Sequence, residues 1–98
     1  MNYILENALE MHNKHPETFD IPTLSEIQEL KIGDYVKLIF KQDGHSERMW
    51  VEVTAINNQK YLGRLDNIPI SVDMRHNDAV VFESKHIINT ITIKKGEM

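Results

Sequence analysis

Trp50 is the one tryptophan of the chain, and it sits in the run Glu47-Arg48-Met49-Trp50-Val51-Glu52. An indole among charged neighbours suits partner recognition, because interface hot spots favour Trp, Tyr and Arg. A second candidate is Asp66-Asn67-Ile68-Pro69. A polar pair before a proline stiffens a loop, and such a loop can present side chains at a barrel mouth. The candidate partner-binding residues are therefore Arg48, Trp50, Asn67 and Pro69. A blander reading stands beside each. N-terminal helices can cover Trp50 as ordinary core under Ile4, Leu5 and Leu9, and Asn67 and Pro69 can serve turn geometry alone. Arg48 can stack on Trp50 or pair with Glu52 across one pleat.

Catalytic chemistry finds no comparable foothold. Glu47 and Glu52 are separated by five residues, which places them on opposite faces of an extended strand. They read as solvated charges and not as the paired carboxylates of acid–base catalysis. None of His12, His15, His45, His76 and His86 forms a pair at metal-binding spacing, and the chain has no cysteine to assist. Ser25, Ser46, Ser71 and Ser84 lack a nucleophile elbow, and Gly33, Gly44, Gly63 and Gly96 are isolated, so no phosphate-cradling loop is present. No catalytic residue, cofactor-binding residue or metal ligand is expected, and the chain is not read as an enzyme.

Charge narrows the partner class. Residues 1–34 hold two lysines against seven acidic residues, while residues 35–98 hold nine basic against eight acidic residues. Nucleic-acid binding normally needs a basic face. Here only Lys37, Lys41, Arg48, Lys60 and Arg64 could form a local patch, and solvated strand faces explain them as well. No apolar run approaches the ~18–20 residues that span a bilayer. No basic region precedes the apolar residues of Met1 to Asn7, so no secretory signal and no membrane partner are expected, and the expected setting is cytoplasmic.

The elements that must position these residues follow from periodicity. A single domain is expected over 1–98, with a helical segment over 1–32 and a β-barrel over 33–94. Ile4, Ala8 and Met11, with Leu5, Leu9 and His12 beside them, predict a helix over Tyr3–Asn13 capped by Asn2. Pro16 ends it, and residues 15–20 form a loop anchored by Phe19. Thr23 and Glu26 fit a capping box for a short second helix carrying Leu24, Ile27 and Leu30.

From Tyr35 the period becomes two. Val36, Leu38 and Phe40 share a face, and Asp43-Gly44 lies in a hairpin loop slightly longer than two residues. In the next strand Met49, Val51, Val53 and Ala55 share one face, and Arg48, Trp50, Glu52 and Thr54 the other. Asn57-Asn58 turns the chain into Tyr61–Leu65, where Gly63 marks a bulge or a close backbone approach. Ile70 to Val72 can extend briefly before a turn over 73–77. Ala79–Glu83 and Ile91–Lys94 are the last strands, with one helical turn within Lys85–Asn89. Five short strands at this spacing predict a small antiparallel SH3-like barrel with one or two helices packed on it. An OB-like barrel and an open sheet under the helix are the alternatives. Asn77-Asp78 weakly echoes Gly33-Asp34, over too few residues to count as a repeat.

With those residues set out, the chain resembles a bacterial family of short stand-alone proteins, domain of unknown function 2314. The resemblance runs from His15-Pro16-Glu17-Thr18-Phe19 through Leu30 to Phe40, Glu47 to Val51 and Gly63 to Pro69, and ends with Asp78 to Phe82 and His86-Ile87-Ile88. Its specific parts are Glu47-Arg48-Met49-Trp50 and Leu65-Asp66-Asn67-Ile68-Pro69. Where such proteins usually carry a second Gly-Asp this chain has Asn77-Asp78, and Asn tolerates positive φ better than most residues. The resemblance implies a fold and a cellular setting, and brings no activity with it. The expected function is that of a small module binding a protein or peptide. The alternative is an immunity or accessory protein whose acidic N-terminal third meets a basic partner surface.

Overall fold

The computed structural model describes residues 3–93. In chain order they form strand β1 (Ile4–Leu5), helix α1 (Ala8–Lys14), helix α2 (Leu24–Gln28), and strands β2 (Tyr35–Gln42), β3 (His45–Asn57), β4 (Lys60–Leu65) and β5 (Ala79–Glu83). A 3-10 turn (Ser84–His86) and strand β6 (Asn89–Ile91) follow. Strands β2 to β5 make an antiparallel meander, and the 3-10 turn carries the chain back so that β6 pairs with β2, Val36 facing Thr90. The result is a curled half-barrel of six antiparallel strands with two short helices, the small barrel-like arrangement expected from the strand spacing with β1 added from the segment expected to be helical.

The N-terminal helix is shorter than its apolar stripe predicts. Ile4 and Leu5 are extended and pair with Lys41 and Phe40, and the helix begins at Ala8. Tertiary pairing overrides helical periodicity here, because β1 supplies hydrogen bonds to the half of the β2 edge that β6 does not reach. Asn7, not Asn2, is the cap, and its side chain accepts the Glu10 N–H at 3.0 Å. The Thr23 capping box forms as predicted, with Thr23 Oγ1 accepting from the Glu26 N–H and Glu26 Oε1 accepting from the Thr23 N–H. Replacing Thr23 with Ala should cost about 1 kcal/mol of stability, read as a lowered urea midpoint, since α2 has one cap and five residues.

Several strand boundaries also move. The first hairpin loop is two residues long: Gln42 pairs with His45, and Asp43 (φ 50°) and Gly44 (φ 81°) both take the left-handed conformation of a type I′ turn. A register shift between Val53 and Ala55 turns Ala55 out of the core face that Met49, Val51 and Val53 occupy. Residues 70–72 form no strand, and the helical turn expected within Lys85–Asn89 is a 3-10 turn that starts one residue earlier, at Ser84, and ends at His86. The last strand is Asn89–Ile91 and not Ile91–Lys94; Lys94 lies outside the described residues.

The core fills the inner face of the half-barrel. Val36, Leu38, Phe40, Met49, Val51, Val53, Leu65, Val80, Phe82 and Ile87 are fully buried, with Tyr61 stacked on Phe82 at 5.0 Å between ring centroids. Val72 and Met74 of the long β4–β5 loop join them, so this loop is part of the fold.

The weak echo at Asp34 and Asp78 proves to be one local geometry used twice. Gly33 (φ 98°) and Asn77 (φ 76°) are left-handed, and the aspartate that follows accepts the N–H three residues back, from Lys31 and Arg75, each at 2.9 Å. Each turn then docks on a strand through a reciprocal pair of bonds. Gly33 N–H donates to Val53 and Val53 N–H to Asp34; Asn77 N–H donates to Leu65 and Leu65 N–H to Asp78. The six-residue echo encodes a turn that starts a strand.

Candidate partner-binding surface

Trp50 lies on the outer face of the sheet, directly opposite Lys37, whose ammonium sits 5.1 Å from the centre of the indole ring. The ring is half-buried, and with Tyr35, Asp66, Ile91 and Ile93 it lines an open pocket of about 320 Å³. The predicted cover from Ile4, Leu5 and Leu9 is not what flanks it. Ile4 is 65% exposed, and the pocket walls come from β2, the β4 end and the C-terminal strand. Asp34 sets one of those walls: buried under the turn, it accepts the Ile93 N–H at 2.9 Å through its second oxygen.

The other three candidates take different positions around this pocket. Arg48 neither stacks on Trp50 nor pairs with Glu52. Its guanidinium lies 5.9 Å from the Phe19 ring, which brings the loop after α1 against the outer face, while Glu52 pairs with Arg64 at 2.7 Å. Asn67 turns its side-chain oxygen to the Trp50 N–H, and the Asp66 N–H donates to the Trp50 carbonyl at 2.9 Å. Asn67 therefore fastens the loop to the strand beside Trp50. Pro69 is half-buried, and the side chains on either side of it are the ones presented: Ile68 is 83% exposed and Ile70 94%.

The residue that sequence reasoning missed is Glu47. Its carboxylate, set aside above as solvated, accepts the Ile70 N–H at 2.7 Å, the Ser71 N–H at 3.0 Å, the Ser71 hydroxyl at 3.2 Å and the Val72 N–H at 3.1 Å. Partial burial pushes this carboxyl up, but the donors from Ser71, Ile70 and Val72 outweigh it and hold the group below the usual carboxylate range. Gln42 adds a further tie, its side-chain oxygen accepting the Asp73 N–H at 2.6 Å. The available signal was the alternation Ile68-Pro69-Ile70, two large apolar residues in a stretch otherwise built of turn formers. The clasp itself spans more than twenty residues of sequence and leaves no local mark.

Two of the histidines serve local structure. His12 Nδ1–H donates to the Phe19 carbonyl at 2.7 Å, and His86 Nδ1 accepts the Glu83 N–H at 3.0 Å. Burial, then the nearby Lys85, pulls the His86 imidazole below its ordinary value, which keeps that nitrogen free to accept. Among the described residues no three His, Asp or Glu side chains converge as metal ligands, and no helix is long and apolar enough to cross a membrane. Comparison of the chain with family models, curated proteins and solved structures found no match.

Proposed function

We propose that the protein is a small binding module for another protein or peptide, engaging it through the Trp50 pocket and the adjoining 66–73 loop. The observation that carries this reading is the pairing of exposure with rigidity. Ile68 and Ile70 stand almost fully in water on a backbone clamped by Glu47, Asn67 and Gln42. Exposed large apolar groups are a recurrent mark of contact surfaces, and a loop already held in place loses little entropy on binding. Arg48, two residues from Trp50 on β3 with its guanidinium beside Phe19, adjoins this surface, and a cytoplasmic setting fits a chain without cysteines. No catalytic step is assigned to it.

The test is a double substitution, Ile68→Asp with Ile70→Asp, used as bait beside the wild-type protein. Both side chains are exposed, so the thermal midpoint should stay within about 2 °C, because surface substitutions rarely move stability far. Partners retained by the wild type should be lost at least tenfold from the variant, and Trp50 emission should shift only when the wild type is titrated with such a partner. Equal recovery by both baits, including none from either, refutes the reading.

A second reading keeps its own observation. Glu6 is spent on Lys41 at 3.1 Å and Asp34 is buried, but Glu10, Glu17, Asp20, Glu26 and Glu29 are all exposed. An accessory or immunity role against a basic partner would use that acidic face, with charge setting the rate of encounter. Capture that weakens sharply as salt rises supports it, and salt-independent capture removes it.

A further inference from the structure

The two edges of the half-barrel are treated differently. The outer edge of β2 is paired along both halves, by β1 and by β6. Strand β5 pairs with β4 alone among the described residues. Its sequence, Ala79-Val80-Val81-Phe82-Glu83, contains no lysine, proline or bulge of the kind that normally blunts an open edge. The hydrogen-bond phase identifies the groups left over. Ser84 N–H donates to Gln59 at one end of the β4–β5 ladder and Leu65 N–H donates to Asp78 at the other. Bonded pairs alternate in an antiparallel ladder, so Tyr61–Phe82 and Gly63–Val80 are the bonded pairs between those ends. Ala79, Val81 and Glu83 therefore direct their main-chain groups away from β4. The Glu83 N–H is already spent on His86, which leaves both groups of Ala79, both of Val81 and the Glu83 carbonyl.

We infer that this edge pairs with the β5 edge of a second copy of the chain, antiparallel and centred on Val81. Centring on Val81 uses every leftover group except the Ala79 carbonyl, which faces the engaged Glu83 N–H. Val81 exchanges both bonds with its counterpart, and each Ala79 N–H donates to the Glu83 carbonyl of the other copy, where the engaged Glu83 N–H ends the ladder. The side chains agree with that register. Val81, 72% exposed, ends a cross-strand row that runs from Ala55 through Leu62 on the outer face. Two-fold pairing joins the rows of both copies into one apolar strip. Each Glu83 falls opposite the small Ala79 of the other copy, whose β4 neighbour is Arg64, so no like charges meet. This self-complementarity favours a second copy over a foreign strand, and the surface is separate from the Ile68–Ile70 loop.

Sedimentation equilibrium and amide exchange on the full chain test it. Mass should rise with concentration from 11.5 kDa toward twice that value, and the amides of Ala79 and Val81 should slow in step. Val81→Lys places like charges face to face at the centre while leaving a solvent-exposed position exposed. It should weaken association at least tenfold, with an unchanged thermal midpoint at concentrations where the wild type is monomeric. The Ile68→Asp, Ile70→Asp protein should dimerise as the wild type does. A wild type that stays monomeric at the highest concentration overturns the inference, as does a Val81→Lys protein that still dimerises or a dimer whose Ala79 and Val81 amides exchange freely. A monomer whose Ala79 and Val81 amides slow only when another protein is added would also overturn it, and would assign the edge to a foreign strand.

Discussion

Gly63→Ala should destabilise the protein by about 2–3 kcal/mol, read as a lowered urea midpoint at unchanged slope. A Cβ at Gly63 would overlap Val51 Cγ1, approach the Glu52 carbonyl oxygen to 2.8 Å and press on Phe82 at 3.2 Å. The neighbours that would have to move cannot do so cheaply. Val51 is β-branched and fully buried, and Glu52 offers backbone. A domain of this size has only ~5–15 kcal/mol in hand, so the loss would be a large share of its stability. Gly44→Ala is the instructive control. Nothing lies within 4 Å of its added Cβ, yet its φ of +81° sets a conformational cost of ~1 kcal/mol. The same substitution thus fails for steric reasons at one site and for backbone reasons at the other. A Gly63→Ala protein no weaker than Gly44→Ala would show that β3 and β5 do not close on Gly63 as described.

Glu47→Gln should loosen the 66–73 loop and cost ~1–2 kcal/mol, or roughly 4–16 °C in the thermal midpoint. A carboxamide keeps one acceptor oxygen but turns an N–H₂ toward donors that the carboxylate accepted, so the Ile70, Ser71 and Val72 amides cannot all remain paired. The lower end of a charged hydrogen bond is appropriate because the carboxylate retains contact with water. Exchange at residues 70–72 should speed up while exchange in the sheet changes little. The pH dependence has a definite sign. The folded-state carboxyl lies below its ordinary 4.5, so the unfolded chain takes up the proton first. The stabilisation from Glu47 is complete above about pH 4.5 and is lost as pH falls below it toward the folded value. The wild-type advantage over Glu47→Gln should therefore shrink in that window. His86, also lowered in the fold, produces a separate decline as pH drops below about 6.5, and this decline appears in both proteins. A constant difference between the two across the acid range would remove Glu47 from its role as a clasp.

These outcomes bear on function because the clasp connects two candidate features. Asn67 bonds to the Trp50 backbone at the start of the loop, and Glu47 holds the segment where Ile70 stands out. If partner binding uses both, Glu47→Gln weakens binding through mobility of the loop without touching a contacting side chain. That loss should be smaller than the loss from Ile68→Asp with Ile70→Asp, which removes the apolar contact itself.

How much of this was legible in the chain depends on the reach of each interaction. Apolar alternation from Tyr35 onward, the Asp43-Gly44 turn, the Thr23 capping box and the Gly63 approach were readable, since each is encoded within a few residues. So was the half-barrel, because five short strands with an apolar face have few ways to bury it. Ile4 and Leu5 carried a helical stripe and became a strand, because β2 offered an edge that periodicity does not record. Ala55 carried a core-face position and lost it to a bulge. The site divides in the same way. Trp50 and the Asn67–Pro69 stretch attracted notice by residue type alone. That Arg48 faces Phe19, that Asn67 is spent on the backbone and that Glu47 grips a loop more than twenty residues away were settled only by folding. Backbone conformation and burial pattern are short-range properties, written in neighbouring side chains. Which carboxylate meets which amide is decided when the sheet curls and brings distant segments within 3 Å of each other.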